Sequence, residues 1–214
     1  MCGVFGFVSK GDGEINMKIL ERVAKETEKR GPHAWGIAWI NRDDRLCMFK
    51  TEGRISENLG MLAMARDAKM LIGHTRYATQ GDPENNLNNH PHAADGGWIV
   101  HNGMIPDYRR IISEHELHPV TDCDSEVLGL LIEKNDNPKL LGRCLKAAKI
   151  AASRPLVMLG LWKPGYLTAV RFGNPLSCGE TPKGLYLASM PTGLPGMAEE
   201  LPDRQGYLYS LLAS

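Results

Sequence analysis

The stretch Met1-Cys2-Gly3-Val4-Phe5-Gly6-Phe7-Val8 decides how the rest of the chain is read. Val4, Phe5, Phe7 and Val8 predict a short buried strand, and Gly3 and Gly6 allow close backbone approach. The cysteine directly after the initiator methionine is the unusual feature. Its small side chain permits removal of Met1, which leaves a thiol and a free α-amine on one residue. The thiolate is the nucleophilic form, and an amine titrating at about 7.7–8.0 can act as a base at neutral pH. An N-terminal amine that activates its own side chain is a variant of the nucleophile–base pair. On Met-Cys alone, a second-position cysteine of no consequence is the favoured reading. The remainder of the chain has to overturn it.

The 214 residues suit one large domain over 1–214. Twenty-five basic residues balance twenty-five acidic ones, so no global field points to nucleic acid or to an anionic membrane. No apolar run approaches a membrane span, and no signal-peptide pattern opens the chain. The five cysteines, at 2, 47, 123, 144 and 178, are odd in number and lack a C-x-x-C pair. That argues against a disulfide framework and makes a reducing cytoplasm the natural setting. Cys47, Cys144 and Cys178 fall in or beside apolar runs and read as core residues.

Asn16 is placed to cap a helix through Lys29, with Ile19, Leu20, Val23 and Ala24 on one face. Strands are predicted at 34–40, 45–50, 69–75 and 98–101, and again at 156–162, 166–172, 185–188 and 207–212. Helices are predicted at 56–66, 106–115, 125–134 and 138–152, and a long loop over 77–97. Strands at both ends with helices between them indicate an α+β fold.

Three stretches present polar groups at predicted strand or helix ends. In Gly73-His74-Thr75-Arg76-Tyr77-Ala78-Thr79, the Arg76 fork suits a carboxylate and Thr79 adds a hydroxyl; a structural ion pair is the alternative. In Val100-His101-Asn102-Gly103, the Asn102 amide and the Gly103 N–H form the type of donor pair found in oxyanion holes, and a plain hairpin turn is the alternative. In Thr121-Asp122-Cys123-Asp124-Ser125-Glu126-Val127, helix capping accounts for one or two acids, and another could hold an ammonium. Together these groups complement an α-amino acid with an acyl group on its side chain. His90 and His92 lack a third ligand at recognisable spacing, so no metal site is expected.

With these motifs, the sequence resembles the glutaminase domain of class II glutamine amidotransferases, which are N-terminal-nucleophile hydrolases. The matching stretches run in order: Cys2 to Gly6, Arg30 to Ala38, Gly73 to Thr79, Asn89-His90-Pro91-His92, His101-Asn102-Gly103 and Asp124 to Val127. Weaker echoes lie at 171–176 and 184–189. The resemblance implies a four-layer αββα sandwich with Cys2 at the end of a central strand. It also implies L-glutamine as substrate, with Cys2 attacking the side-chain amide and Asn102 and Gly103 stabilising the oxyanion. Arg76 and Thr79 would hold the α-carboxylate, and Asp124 the α-ammonium. No cofactor is expected. Two positions depart from the family pattern: Gln80 stands where some members carry histidine, and Pro32-His33 replaces a pattern with aspartate after Arg-Gly.

Family members usually continue into a synthase domain. This sequence ends at Ser214 without a phosphosugar isomerase segment, nucleotide-binding loop or phosphoribosyl motif. The favoured expectation is a glutaminase that passes ammonia to a separate synthase subunit. An autonomous hydrolase of glutamine or another γ-glutamyl amide, and an idle glutamine- or partner-binding module, stand as alternatives.

Overall fold

A computed structural model describes residues 2–211 of the chain. In chain order the elements are β1 (Gly3–Ser9), α1 (Met17–Glu28), β2 (Ala34–Asn41), β3 (Leu46–Glu52), β4 (Ala68–Arg76), β5 (His92–Ala94) and β6 (Gly97–Gly103). They continue with α2 (Tyr108–Glu114), α3 (Glu126–Glu133), α4 (Leu140–Ala151), β7 (Leu156–Trp162), β8 (Tyr166–Phe172), β9 (Ser177–Thr181), β10 (Gly184–Ala188), β11 (Glu199–Glu200) and β12 (Gln205–Ser210). Among the described residues the strands form two antiparallel sheets. One runs β11-β9-β10-β1-β4-β2-β3 and the other β12-β8-β7-β6-β5.

Side-chain alternation along the strands builds the layers. In β1, Val4 and Val8 face a core shared with Val100, Val157 and Leu159 of the second sheet. Phe5 and Phe7 face the opposite way and pack against Leu20, Val23 and Ala24 of α1. The outer face of the second sheet, with Ile99, Met158 and Val170, is covered by residues of α3 and α4 such as Val127, Leu131, Cys144 and Ala148. The result is a four-layer αββα sandwich. Both faces of β1 are buried, which is why the strand reads as a nearly unbroken apolar run. β1 is the central strand of its sheet, between β4 and β10, and Cys2 sits immediately before it.

The predicted N-cap is realised: the Asn16 side chain accepts the Ile19 N–H at 3.3 Å. Ile19 itself is only partly buried. The helix predicted at 56–66 is two 3-10 segments, Ile55–Glu57 and Leu59–Ala65. The first is fixed by the Glu28 carboxylate, which accepts from the Ser56 N–H at 2.7 Å and from its hydroxyl at 2.9 Å. The loop predicted over 77–97 contains β5, which pairs with β6. β9 and β11 were absent from the sequence reading. Leu212, at the end of the last predicted strand, lies outside the described residues. Of the three cysteines read as core, Cys144 is buried, whereas Cys47 and Cys178 are partly exposed against it.

Gly36 shows how closely loop and sheet approach. A Cβ there would lie 2.2 Å from the His90 carbonyl oxygen and 2.7 Å from the Lys50 Cβ. Gly36→Ala should therefore destabilise the protein by about 1–3 kcal/mol, as expected for overpacking, and urea unfolding would measure it. An unchanged midpoint would show that the 77–91 segment is not packed against β2.

Candidate active site

Pairing of Gly3 with Thr75 places the start of β1 beside the end of β4. The Cys2 sulfur consequently lies 3.4 Å from the Tyr77 backbone nitrogen, which donates to it, and 3.5 Å from the Tyr77 carbonyl. Arg30 donates to the Cys2 carbonyl at 2.9 Å. Burial pushes the Cys2 thiol up, and the Tyr77 N–H partly offsets that rise. At neutral pH Cys2 therefore rests as a thiol, which would need a base to act as a nucleophile.

Cys2 opens into a 320 Å³ cavity whose lining includes Tyr77, Thr79, Gly103, Met104 and Asn174. Three predicted site residues, Cys2, Thr79 and Gly103, thus share one cavity. Arg76, Asn102 and Asp124 are buried next to it, each under 5 % exposed. Asn102 directly precedes Gly103, while the charges of Asp124 and Arg76 both reach the Cys2 sulfur.

Asn102 and Gly103 are not a hairpin turn. Both are strand residues of β6, paired with Val157 and Leu156 of β7. Asn102 is fully buried, yet neither its Nδ2 nor its Oδ1 has a hydrogen-bond partner among the described residues. Buried side-chain amides are ordinarily satisfied, so an orphan donor next to the Cys2 cavity is available to a ligand acceptor. Gly103 is required by crowding: a Cβ would meet His101 Nε2 at 2.6 Å and the Pro155 carbonyl at 2.9 Å.

Arg76 makes no structural ion pair among the described residues. Its guanidinium donates to Asn89 Oδ1 at 2.7 Å, to the Gly81 carbonyl at 2.8 Å and to the Gln80 carbonyl. All three acceptors are uncharged, so the cation is held in place without being neutralised. Thr79 is exposed at the cavity wall. Asp124 does not cap α3. One of its oxygens accepts the Ile105 N–H at 2.7 Å and the other the Ser125 hydroxyl at 3.3 Å. Glu126 reaches back to the N–H groups of Val120 and Thr121 instead.

One departure from the family pattern has a local explanation. His33 Nδ1 accepts the Ala78 N–H at 3.1 Å and its ring packs on Tyr77, so it steadies the segment carrying Thr79. Gln80 contributes only its backbone carbonyl to Arg76, which any residue there would supply, so nothing in the structure explains the glutamine.

Sequence reasoning missed Lys50 and Asn174. The Lys50 ammonium donates to the carbonyls of Leu87, Asn89 and Pro91 at 3.3, 2.7 and 3.3 Å, pinning the loop whose Asn89 side chain holds Arg76. Asn174 Nδ2 donates to the Asn102 carbonyl at 2.9 Å and to that of Pro155 at 3.0 Å. The stretch 171–176 is a weak echo of the family pattern that assigns Asn174 no role, and a lysine on a half-buried strand carries no local signal.

Folding brings Cys123 to His90 and His92, with candidate ligand atoms within 4.8 Å of one another. The hydrogen bonds oppose a metal there. His90 Nδ1 accepts the His101 N–H at 3.3 Å, so its proton sits on Nε2, which faces the Cys123 sulfur at 3.9 Å. His90 thus presents an N–H where a ligand needs a lone pair. Lys50 and Arg76 add positive charge around His92, which burial already holds down at about 3. His74 Nε2 donates to the His101 carbonyl at 3.0 Å, tying the two sheets together behind the site.

Three comparisons agree with this architecture. A sequence model of the class-II glutamine amidotransferases matches residues 1–138. A glutamine–fructose-6-phosphate aminotransferase (isomerizing) of Aquifex aeolicus is 34 % identical over 204 residues, covering 91 % of this chain and 33 % of the relative. The chain thus spans about a third of the length of such curated relatives. Among solved structures, the allosteric regulatory enzyme of purine biosynthesis superposes with a TM-score of 0.76 at 20 % identity, over 98 % of this chain and 49 % of that one. A glutamine aminotransferase class-II domain protein from Silicibacter pomeroyi gives 0.67 at 15 % identity, covering 99 % of this chain and 96 % of that protein. No helix among the described residues is long and apolar enough to cross a membrane.

Proposed function

The chain belongs to the class II glutamine amidotransferases, and we propose that it hydrolyses the side-chain amide of L-glutamine and delivers the ammonia to an acceptor on a separate synthase partner. The observation that carries this reading is the orphaned Asn102 amide beside Gly103 at the Cys2 cavity.

Once Met1 is removed, the α-amine of Cys2 takes the thiol proton as sulfur attacks the amide carbon. Asn102 Nδ2 and the Gly103 N–H receive the developing oxyanion. The proton then passes to the departing nitrogen, which leaves as ammonia, and a γ-glutamyl thioester remains. Water attacks that thioester with the same amine as base, releasing glutamate and restoring the thiol. Arg76 and Thr79 take the substrate carboxylate and Asp124 its ammonium, so both ends of the amino acid are held by opposite charge.

The direct test is to incubate chain lacking Met1 with glutamine and measure glutamate and ammonia. Equal amounts of both are expected, and hydroxylamine should divert part of the product to γ-glutamyl hydroxamate. Correctly processed protein that forms neither product would overturn the reading.

Lys50 supplies a second check. Lys50→Met removes three bonds to carbonyls and frees the loop that positions Arg76. The KM for glutamine should rise at least about tenfold, equivalent to about 1.4 kcal/mol of binding, with kcat changing less. An unchanged KM would separate the loop from substrate binding.

A further inference from the structure

The Cys2 cavity shares the wall formed by Arg154 and Pro155 with a second cavity of 370 Å³. Lys149, Ser153, Arg154, Phe172, Asp203 and Arg204 line that second space. Lys149, Phe172 and Arg204 also line a third hollow, which extends to Lys146. The three spaces form a trench leading away from the nucleophile, with four cations along it.

The charges in this trench are not balanced. None of Lys146, Lys149, Arg154 and Arg204 makes an ion pair or side-chain hydrogen bond to a described residue, in a protein whose formal net charge is zero. The carboxylate present, Asp203, is held by the backbone N–H groups of Gly173, at 2.6 Å, and Arg204, and its single charge is shared between the Arg171 and Arg204 guanidiniums. Lys149 alone has a simple explanation, since it lies in the last turn of α4 and complements the helix dipole. That account does not extend to Arg154, past the helix end, or to Arg204, which comes from a different loop with a left-handed φ of 55°. These side chains are solvent-exposed, so water screens their repulsion, but their convergence on one concavity from separate elements gives it a positive field that favours an anion.

We propose that this trench binds the phosphate group of a phosphorylated small molecule through Lys149, Arg154 and Arg204, with Phe172 offering apolar surface to the rest of the ligand. On the ammonia-donor reading above, on which this part rests, the ligand is the ammonia acceptor, presented to this trench by the synthase partner. A phosphate anchored there would set the acceptor at the Arg154–Pro155 rim, next to the point where ammonia leaves Cys2. Guanidinium and ammonium donors in a concave site are suited to a phosphate dianion, and the volume accommodates a small molecule.

The test uses inorganic phosphate as probe, titrated into the Met1-free chain at low ionic strength and followed by amide NMR shifts. A Lys149→Ala/Arg204→Asn double variant is the control; asparagine is chosen because it tolerates the left-handed backbone at 204. Wild type should show saturable shifts confined to 149–154, 173 and 203–204. The double variant should bind at least about tenfold more weakly, a loss of about 1.4 kcal/mol, while releasing glutamate at the wild-type rate. Absent saturation, scattered shifts, or equal affinity in the variant would each overturn the site. The two readings fail separately. A chain that binds phosphate here but releases no glutamate keeps the anion site and loses the acceptor role. A chain that releases glutamate but shows no saturable shifts loses the site.

Discussion

Cys2→Ala should reduce glutamate release by on the order of 10⁴-fold or more, to the background of the assay. The fold should not notice. Cys2 precedes β1, and among the described residues the hydrogen bonds of its sulfur go only to the Tyr77 backbone. Alanine is also small enough for Met1 to be removed, so the variant keeps the α-amine and loses only the thiol. The complementary variant keeps the thiol and loses the amine: a chain with a non-cleavable N-terminal extension. It should be as inactive as Cys2→Ala, because burial keeps the thiol protonated and the nearby Asp124 carboxylate is engaged by the Ile105 N–H and the Ser125 hydroxyl. In the processed wild type, activity should fall as pH drops through about 7.7–8.0, where the amine gains a proton and can no longer accept one. An active extended chain would assign the base to another residue.

The fold was legible because its strands are buried on both faces. Val4-Phe5 and Phe7-Val8 supply apolar side chains in both directions, and only a sheet between two layers uses both. The site was legible wherever a side chain announces chemistry: the fork of Arg76, the amide of Asn102, the thiol of Cys2. Three things were hidden. The first 3-10 segment, Ile55–Glu57, depends on Glu28, a contact 28 residues away in sequence. β5 is a three-residue strand that exists only because β6 offers it an edge, so local propensity carries no trace of it. Asn-Gly at 102–103 carries the sequence signature of a turn but is held in a strand by pairing with β7, while Asn174 grips the Asn102 carbonyl from a neighbouring loop. Local chemistry and tertiary placement disagree there, and such conflicts gather at functional sites.

Asn102→Ala should lower kcat for glutamine hydrolysis by about 10²–10³-fold, the effect of losing one oxyanion donor, or about 2.7–4 kcal/mol of transition-state stabilisation. Stability should respond differently. In the resting protein the Asn102 amide is fully buried and neither of its polar atoms bonds to a described residue; a buried amide left without a partner costs roughly 1–3 kcal/mol. Alanine removes that cost and leaves no partner stranded, because no described group relies on the side chain. What it forfeits is the packing of one small amide. The unfolding free energy should therefore stay within about 1 kcal/mol of wild type or rise, even as activity collapses. Asn102→Asp separates the donor from the volume: it keeps the shape, replaces the donor with an acceptor, and should lose as much kcat as alanine. Paired measurements of kcat and urea midpoint on the two variants decide the matter. A loss of activity that tracked a loss of stability would make Asn102 a structural residue. An undiminished kcat in both variants would move the oxyanion to other donors. Activity lost without stability lost is the signature of a group kept unsatisfied in the resting state so that it can be satisfied in the transition state.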